Sequence, residues 1–442
     1  MILLQNGTVI DPKSGFMETA DIAIDRGKII KIGKNLNPVD VMMYNCYRDD
    51  EKQEIQTIDC TGKIIGPGLV DIHVHFRDPG FTYKEDILTG GEAAKRGGFT
   101  SIILMANTKP VVDSGETIHY ILEKGKKTKI NIYTCATITK SMQGKELNDF
   151  FALKNAGAIG FTDDGIPMLD EELVTEAMIK AAKEDVVLSF HEENPEYIKN
   201  NGINHGKASQ YFHIEGSDRQ AEITMVKRDL KIALETGAKV NFQHISTKEA
   251  VELIRTYKSK DNNHHIHAEA TPHHMSLNEQ AVILFGTLAK MNPPLREEED
   301  RKAIIEGLMD GTIDIIATDH APHTKEEKDK QITEAPSGII GLETAFSIAY
   351  EELICRQNMP ILQLFCRMSL NPAKLYQINA GYLAENGPAD VCIVDTGRTW
   401  SVKEFASKSQ NSPFKNQKLM AKVIMTICNG KIVYKDDDEK TK

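Results

Sequence analysis

The sequence predicts an α/β fold, a (β/α)8 barrel of the TIM type, with a small β-sandwich domain built from both chain termini. Three observations carry this. Through the middle of the chain, short apolar strands alternate with amphipathic helical patterns, which argues for a parallel sheet. Eight such strands can be counted, the number a closed barrel requires. At both ends the pattern changes to strand runs broken by turn signals, so the termini flank the barrel with something different.

In chain order, residues 1–66 read as β structure. Apolar runs are separated by Asn6-Gly7, Asp11-Pro12, Arg26-Gly27-Lys28 and Lys63-Ile64-Ile65-Gly66-Pro67-Gly68. The stretch 40–54, rich in Asp, Glu, Tyr and Arg, reads as a polar excursion between strands. The barrel is expected over 67–382. Its strand candidates are 68–75, 99–105, 129–136, 157–162, 186–191, 238–244, 265–270 and 312–318. Helical periodicity lies between most of them, as in Asp170 to Lys183 and Asp218 to Thr236. An open doubly wound sheet is the alternative, but no Gly-x-Gly-x-x-Gly opens a helix after the first strand. From 383 to 436 the pattern returns to β, and Asn429-Gly430-Lys431-Ile432-Val433-Tyr434 echoes the opening Asn6-Gly7-Thr8-Val9-Ile10. The charge run from Lys435, and residues 437–442 in particular, are expected to be a disordered tail.

At 442 residues the chain has room for one large domain with an appendage. Its 40% hydrophobic and 26% charged residues are an ordinary globular balance. A net charge of −11 argues against nucleic acid or an anionic membrane as the main partner. The seven cysteines are scattered without a C-x-x-C pair, which fits reduced thiols in a cytoplasmic protein. The N-terminal segment is too short and lacks the basic flank of a signal peptide, and no apolar run approaches a membrane span.

Barrel enzymes carry their functional groups at the carboxyl ends of the strands. Here the first strand ends in Asp71-Ile72-His73-Val74-His75, where residues two apart face one side. The fourth ends in Phe161-Thr162-Asp163-Asp164, the fifth in Phe190-His191-Glu192-Glu193, the sixth in Gln243-His244, and the eighth in Thr318-Asp319-His320. Imidazoles and carboxylates without thiolates suit Zn²⁺ or its neighbours. Four histidines and two aspartates exceed what one tetrahedral ion needs, so two Zn²⁺ ions bridged by a carboxylate are expected. The histidines at 264, 265 and 267 read instead as a solvated loop entering a strand. His273 and His274 fall near the rim without a ligand role, and His205 and His213 read as loop residues.

The pattern resembles the amidohydrolase superfamily and, more closely, its dihydroorotase family in the longer bacterial form. The stretches that carry the likeness are Asp71-Ile72-His73-Val74-His75-Phe76-Arg77-Asp78-Pro79-Gly80, Met105-Ala106-Asn107-Thr108-Lys109-Pro110, Phe161-Thr162-Asp163-Asp164-Gly165, Met291-Asn292-Pro293-Pro294-Leu295-Arg296, Thr318-Asp319-His320-Ala321-Pro322-His323 and Gly338-Ile339-Ile340-Gly341-Leu342-Glu343. The likeness implies metal ligation by His73, His75, His191, His244 and Asp319, with Asp319 also the catalytic base. Many members bridge their metals with a carboxylated lysine on strand four. No lysine is present there, and the likeness to one branch of the family assigns the bridge to Asp164, with Asp163 as the alternative.

The implied reaction is the reversible cyclisation of N-carbamoyl-L-aspartate to L-dihydroorotate plus water, in pyrimidine biosynthesis. Arg77, two residues past His75, can grip a substrate carboxylate bidentately. The likeness adds His75, Asn107, Asn292, His323, Ser337 and Gly338 to the substrate contacts. It also frames two expectations about partners, a homodimer and association with aspartate transcarbamoylase. The rival readings are another cyclic amidase, such as an allantoinase or hydantoinase, and a catalytically silent homologue kept as a scaffold.

Overall fold

Two sheets organise the computed structural model, which describes residues 1–38 and 55–436. The polar excursion expected over 40–54 and the tail from 437 lie outside the described residues. The terminal strands come first: β1 (Ile2–Asp11), β2 (Phe16–Asp25), β3 (Lys28–Gly33), β4 (Gln56–Asp59) and β5 (Ile64–Pro67). The barrel follows with β6 (Leu69–Val74), β7 (Phe99–Leu104), β8 (Asn131–Ala136), β9 (Gly160–Thr162), β10 (Val187–Phe190), β11 (Lys239–Phe242), β12 (Ile266–Ala270) and β13 (Ile315–Ile316). The chain ends in β14 (Val391–Ser401), β15 (Lys418–Cys428) and β16 (Lys431–Lys435).

Strands β6 to β13 pair in parallel in chain order, each with the next. All eight fall inside the ranges expected from the sequence. The helical patterns also hold: Glu171–Glu184 is capped by Asp170, which accepts from the amides of Glu172 and Leu173, and Gln220–Thr236 ends at Gly237 with φ of 70°. A parallel barrel is covered by helices outside and filled inside, so its strands must be apolar on both faces. Every residue of β6, β7 and β10 is accordingly buried.

The eighth strand is shorter than its sequence suggests. Over 312–318 only Ile315 and Ile316 form a ladder. Just before them, the Asp314 carboxylate accepts from the amide of Ala268 and pairs with His267. Just after them, the amide of Thr318 turns to the carboxylate of Asp71 at 3.2 Å. Side chains have replaced ladder partners at both ends. The barrel still closes, because His75 donates its amide to the carbonyl of His320 at 2.9 Å and Val74 bridges His320 in parallel.

The terminal strands form one sheet in the order β16-β15-β14-β5-β1-β2-β3, with β4 also on β1. It is mainly antiparallel, and β5–β14 joins the two ends of the chain. The sheet encloses a core of its own, shared by Leu4, Val9, Ile22, Ile65, Ile393 and Ile427. Its other face, with Cys392, Val394 and Val423, packs into the barrel's outer core. Lys435, read from sequence as the start of a disordered run, instead pairs with Met425 in β16. Asp436 beyond it is buried and ion-paired with Lys422 and Arg398. Charge composition misled here because the pairing cations lie on other strands.

Phe161 on β9 is fully buried and stacks on Phe150 at 4.3 Å between ring centres. Truncating it leaves a cavity that neighbouring helices cannot refill. Phe161→Ala should cost about 3–5 kcal/mol, read as a lowered urea midpoint; an unchanged midpoint would contradict the packing.

Candidate active site

The side chains expected at the strand ends meet in one buried cluster at the carboxyl rim. Asp164 lies at its centre. One carboxylate oxygen faces His73 Nε2 at 3.5 Å, His191 Nδ1 at 3.6 Å and His244 Nε2 at 3.9 Å, and the other faces His75 Nε2 at 3.4 Å. Asp319 Oδ1 lies 3.1 Å from His75 Nε2 and 3.6 Å from His73 Nε2. Two overlapping sets of donors result, His73–His75–Asp319 and His73–Asp164–His244. His191 joins the second set through its Nδ1, 2.9 Å from His244 Nε2.

The neighbouring aspartate points elsewhere. Asp163 accepts from the amides of Ile138 and Thr139 and from the Thr139 hydroxyl. Burial pushes its carboxyl up to about 6. Adjacent strand residues face opposite sides, and here only Asp164 faces the histidines.

Three of the four rings are oriented by a partner on the far side. Glu269 on β12 bonds His73 Nδ1 at 2.5 Å, which turns Nε2 toward the two aspartates. Asn107 Oδ1 does the same for His75 Nδ1 at 2.9 Å, while Asn107 Nδ2 donates to Asp164 Oδ2 at 3.0 Å. Glu193 pairs with His191 Nε2 at 3.1 Å. Glu269 also accepts from the amide of His244 and from Asn241. One carboxylate thus holds ligands from two strands. It stands alone as an acid in an apolar strand, Ile266-His267-Ala268-Glu269-Ala270, and that isolation is the signal by which sequence reasoning could have found it.

The electrostatics follow from this crowding. Burial opposes ionisation of Asp164, but the imidazoles of His73, His191 and His244 outweigh it and hold the carboxyl well below the usual range. Burial likewise opposes ionisation of Asp319; the hydrogen bond from His75 and the charge of His73 prevail and keep it low. His244, Asp319 and Arg77 are all left-handed, with φ of 33°, 47° and 60°. Such non-glycine backbone costs of order 1–3 kcal/mol per residue and persists where the surroundings over-determine it.

The residues fit a divalent metal. His73 Nε2 and His244 Nδ1 are buried polar atoms with no hydrogen-bond partner, and His73 Nε2 points into the cluster. All donors are nitrogen or oxygen, and no thiolate joins the two donor sets.

The substrate candidates line one side of this cluster. Arg77 Nε approaches the carbonyl of Pro322 at 3.4 Å, and its charge acts on Asp319, Asp164 and His323. Burial, together with Arg77, Lys84 and Lys328, pushes His323 down to about 2, so its ring is neutral. Asn292 Nδ2 lies 3.4 Å from His191 Nε2, and its Oδ1 is buried without a partner. Gly338 has φ of 134°, and a Cβ there would lie 2.9 Å from Ala321, so no larger residue fits. Ser337 is turned outward, its hydroxyl donating to Asn201 at 3.0 Å. Both ends of the Asn107 amide already serve His75 and Asp164, which makes it an orienting residue before a substrate donor. Three of the other histidines take structural partners: His274 bonds Thr271 and the Pro293 carbonyl, His265 the Gly237 carbonyl, and His267 pairs with Asp314, while His273 is buried with its Nε2 unpartnered.

A parallel eight-stranded barrel with histidines and aspartates gathered at its carboxyl rim defines the class as a metal-dependent cyclic amide hydrolase of the amidohydrolase type. The solved L-hydantoinase (dihydropyrimidinase) from Arthrobacter aurescens shares the fold, with a TM-score of 0.84 at 22% identity over 98% of this chain and 96% of that one. Residues 62–250 match the family model described as dihydro-orotase-like. The chain is 51% identical to a dihydroorotase of Clostridioides difficile over 98% of its own length and 100% of the relative's. It is 48% identical to a dihydroorotase of Clostridium acetobutylicum over 99% and 100%. The chain belongs to the dihydroorotase family.

Glu269→Gln keeps the shape but weakens the charge-assisted bond that orients His73. Metal affinity, measured by competition with a chromogenic chelator, should fall about 10–100-fold. Undiminished affinity would show that the His73 ring needs no carboxylate behind it.

Proposed function

We propose that this chain catalyses the reversible cyclisation of N-carbamoyl-L-aspartate to L-dihydroorotate and water. The observation that carries the reading is the near-full-length likeness to proteins named dihydroorotase, at about half identity. The site chemistry agrees with it. His73, His75, His191, His244, Asp164 and Asp319 would hold the metal, two ions on this reading, with Zn²⁺ the first choice for nitrogen and oxygen donors. Bound there, such ions polarise the carbonyl under attack and lower the pKa of water from about 16 to about 7.

The chain's own residues do the rest. Asp319 is the proton carrier. In the cyclisation direction its ionised carboxylate takes the proton from the ureido nitrogen as that nitrogen bonds to the side-chain carboxyl carbon. It then returns the proton to the departing oxygen, which takes one further proton from solvent and leaves as water. In hydrolysis the same group protonates the ring nitrogen as the amide bond breaks. Its left-handed backbone, anchored by the His75 contact, fixes the carboxylate beside the reacting carbon. Arg77 grips the remaining substrate carboxylate, and the neutral His323 donates to it without adding a charge. Asn292 and the backbone at Ser337 and Gly338 meet the amide edges of the ring.

A homodimer and an association with aspartate transcarbamoylase belong to the same proposal. Size-exclusion chromatography with light scattering, alone and with that enzyme, tests both. Two readings compete for the substrate, a carboxylated or an uncarboxylated ring. Purified protein should turn over L-dihydroorotate, followed by its ring absorbance, and leave allantoin and hydantoin intact. Turnover of the latter two alone would reject the assignment.

Asp319→Ala should lower kcat by about 10²- to 10⁴-fold, the usual worth of a positioned acid–base group. Near-normal turnover would remove Asp319 from the mechanism. Arg77→Met should raise KM about 10-fold or more with a smaller effect on kcat, as expected for loss of a charge-assisted bond. An unchanged KM would refute the carboxylate grip.

A further inference from the structure

The connection between β14 and β15, residues 402–417, does not stay with the terminal sheet. It crosses to the barrel rim and binds both segments that carry the substrate-anion residues. Ser409 Oγ donates to the carbonyl of Lys84 at 2.7 Å, and Lys408 Nζ donates to that of Thr82 at 2.7 Å, in the loop that follows Arg77. Asn411 then reaches the segment after Asp319. Its Oδ1 accepts from the amide of His323, and its Nδ2 donates to the carbonyls of Ala321 and Gly338, each at 3.1 Å. Its own carbonyl accepts from the amide of Ile340 at 3.1 Å.

Asn411 is buried, and its amide is fully used across two segments, which also meet at the His320–Ile339 bridge and where the Gly341 amide donates to His320 Nδ1. An Asn offers two donors and an acceptor in one plane. No residue without both could hold the His323 amide and the two carbonyls together. The connection is itself anchored: Val402, Phe405 and Phe414 pack with Ile339, Ile340 and Ile348 in one buried cluster.

We propose that residues 402–417 are a strap from the terminal sheet that sets the substrate-anion subsite, with Asn411 as its positioning residue for His323 and Gly338. The inference rests on the assignment of Arg77 and His323 to the substrate carboxylate and of Gly338 to the ring beside it. Asn411 touches none of the clustered histidines and aspartates, so its loss should alter substrate binding and spare the metal centre.

The test uses the metal-loaded enzyme as purified, with the variants Asn411→Ala and Asn411→Asp. The aspartate keeps the size and the acceptor but loses the donor, so it carries the test if the alanine variant fails to fold. The KM for L-dihydroorotate should rise about 10-fold, with kcat changed by less than about threefold and metal per chain unchanged. In the double variant with His323→Ala, the KM penalties should not multiply, because the two residues act through one contact. An unchanged KM in the aspartate variant, a fall in kcat alone, or penalties that multiply would overturn the strap. His323→Ala without effect on KM would instead sink the subsite assignment beneath it. A raised KM in His323→Ala beside neutral Asn411 variants would sink the strap alone.

Discussion

The carboxylate of Asp71 joins the two ends of the barrel, and the site depends on that seam. It is buried on β6 and accepts from the amide of His73 at 3.1 Å and that of Thr318 at 3.2 Å. Burial pushes its pKa up to about 7, a measure of how costly a carboxylate is at that position. The two amides it holds precede Asp319 by one residue and belong to His73 itself. The Asp71 contact to Thr318 and the backbone bridge from His75 to His320 flank Asp319, where the chain turns with a positive φ. That turn brings its carboxylate to His75.

Around this seam the protein gathers imidazoles and carboxylates and holds them by orientation. Four imidazoles and two carboxylates within a few ångströms, in surroundings of low dielectric, would pair at random if they could rotate. Three of the rings cannot, because Glu269, Asn107 and Glu193 each bond the outer nitrogen of one of them. The inner nitrogens then converge on Asp164. Nitrogen and oxygen donors held together in this way are the set that a divalent cation takes. The strain stored at His244 and Asp319 is the backbone counterpart of the same convergence.

The terminal sheet has a role that its separation in sequence conceals. Its strands β14 and β15 pack on the barrel, while the long connection between them reaches the rim beside Arg77 and His323. Catalysis needs a rigid first layer and a supporting second one. Here the supporting layer around the clustered histidines comes from the barrel itself, and that beside Arg77 and His323 comes from the other sheet.

Much of this was legible in the residues. Periodicity located all eight barrel strands, because parallel strands buried on both faces must read as short apolar runs. The strand ends carried their histidines and aspartates in plain view, and the His73–His75 spacing alone put both rings on one side. Other features were invisible for one shared reason: a polar side chain's meaning lies in its partner, and the partners are remote in sequence. Glu269 serves His73 from 196 positions away, Asp71 reaches Thr318 across 247, and Asn411 meets His323 across 88. The same remoteness made Lys435 and Asp436 look like a loose charged tail and Asn107 like a simple substrate donor. The sequence by itself determined the elements, their order and the chemistry available at the rim, since these follow from local pattern and residue type. Only the tertiary structure decided which aspartate faces the clustered histidines, where strand eight stops and which groups orient the rest, because those depend on three-dimensional packing between distant segments.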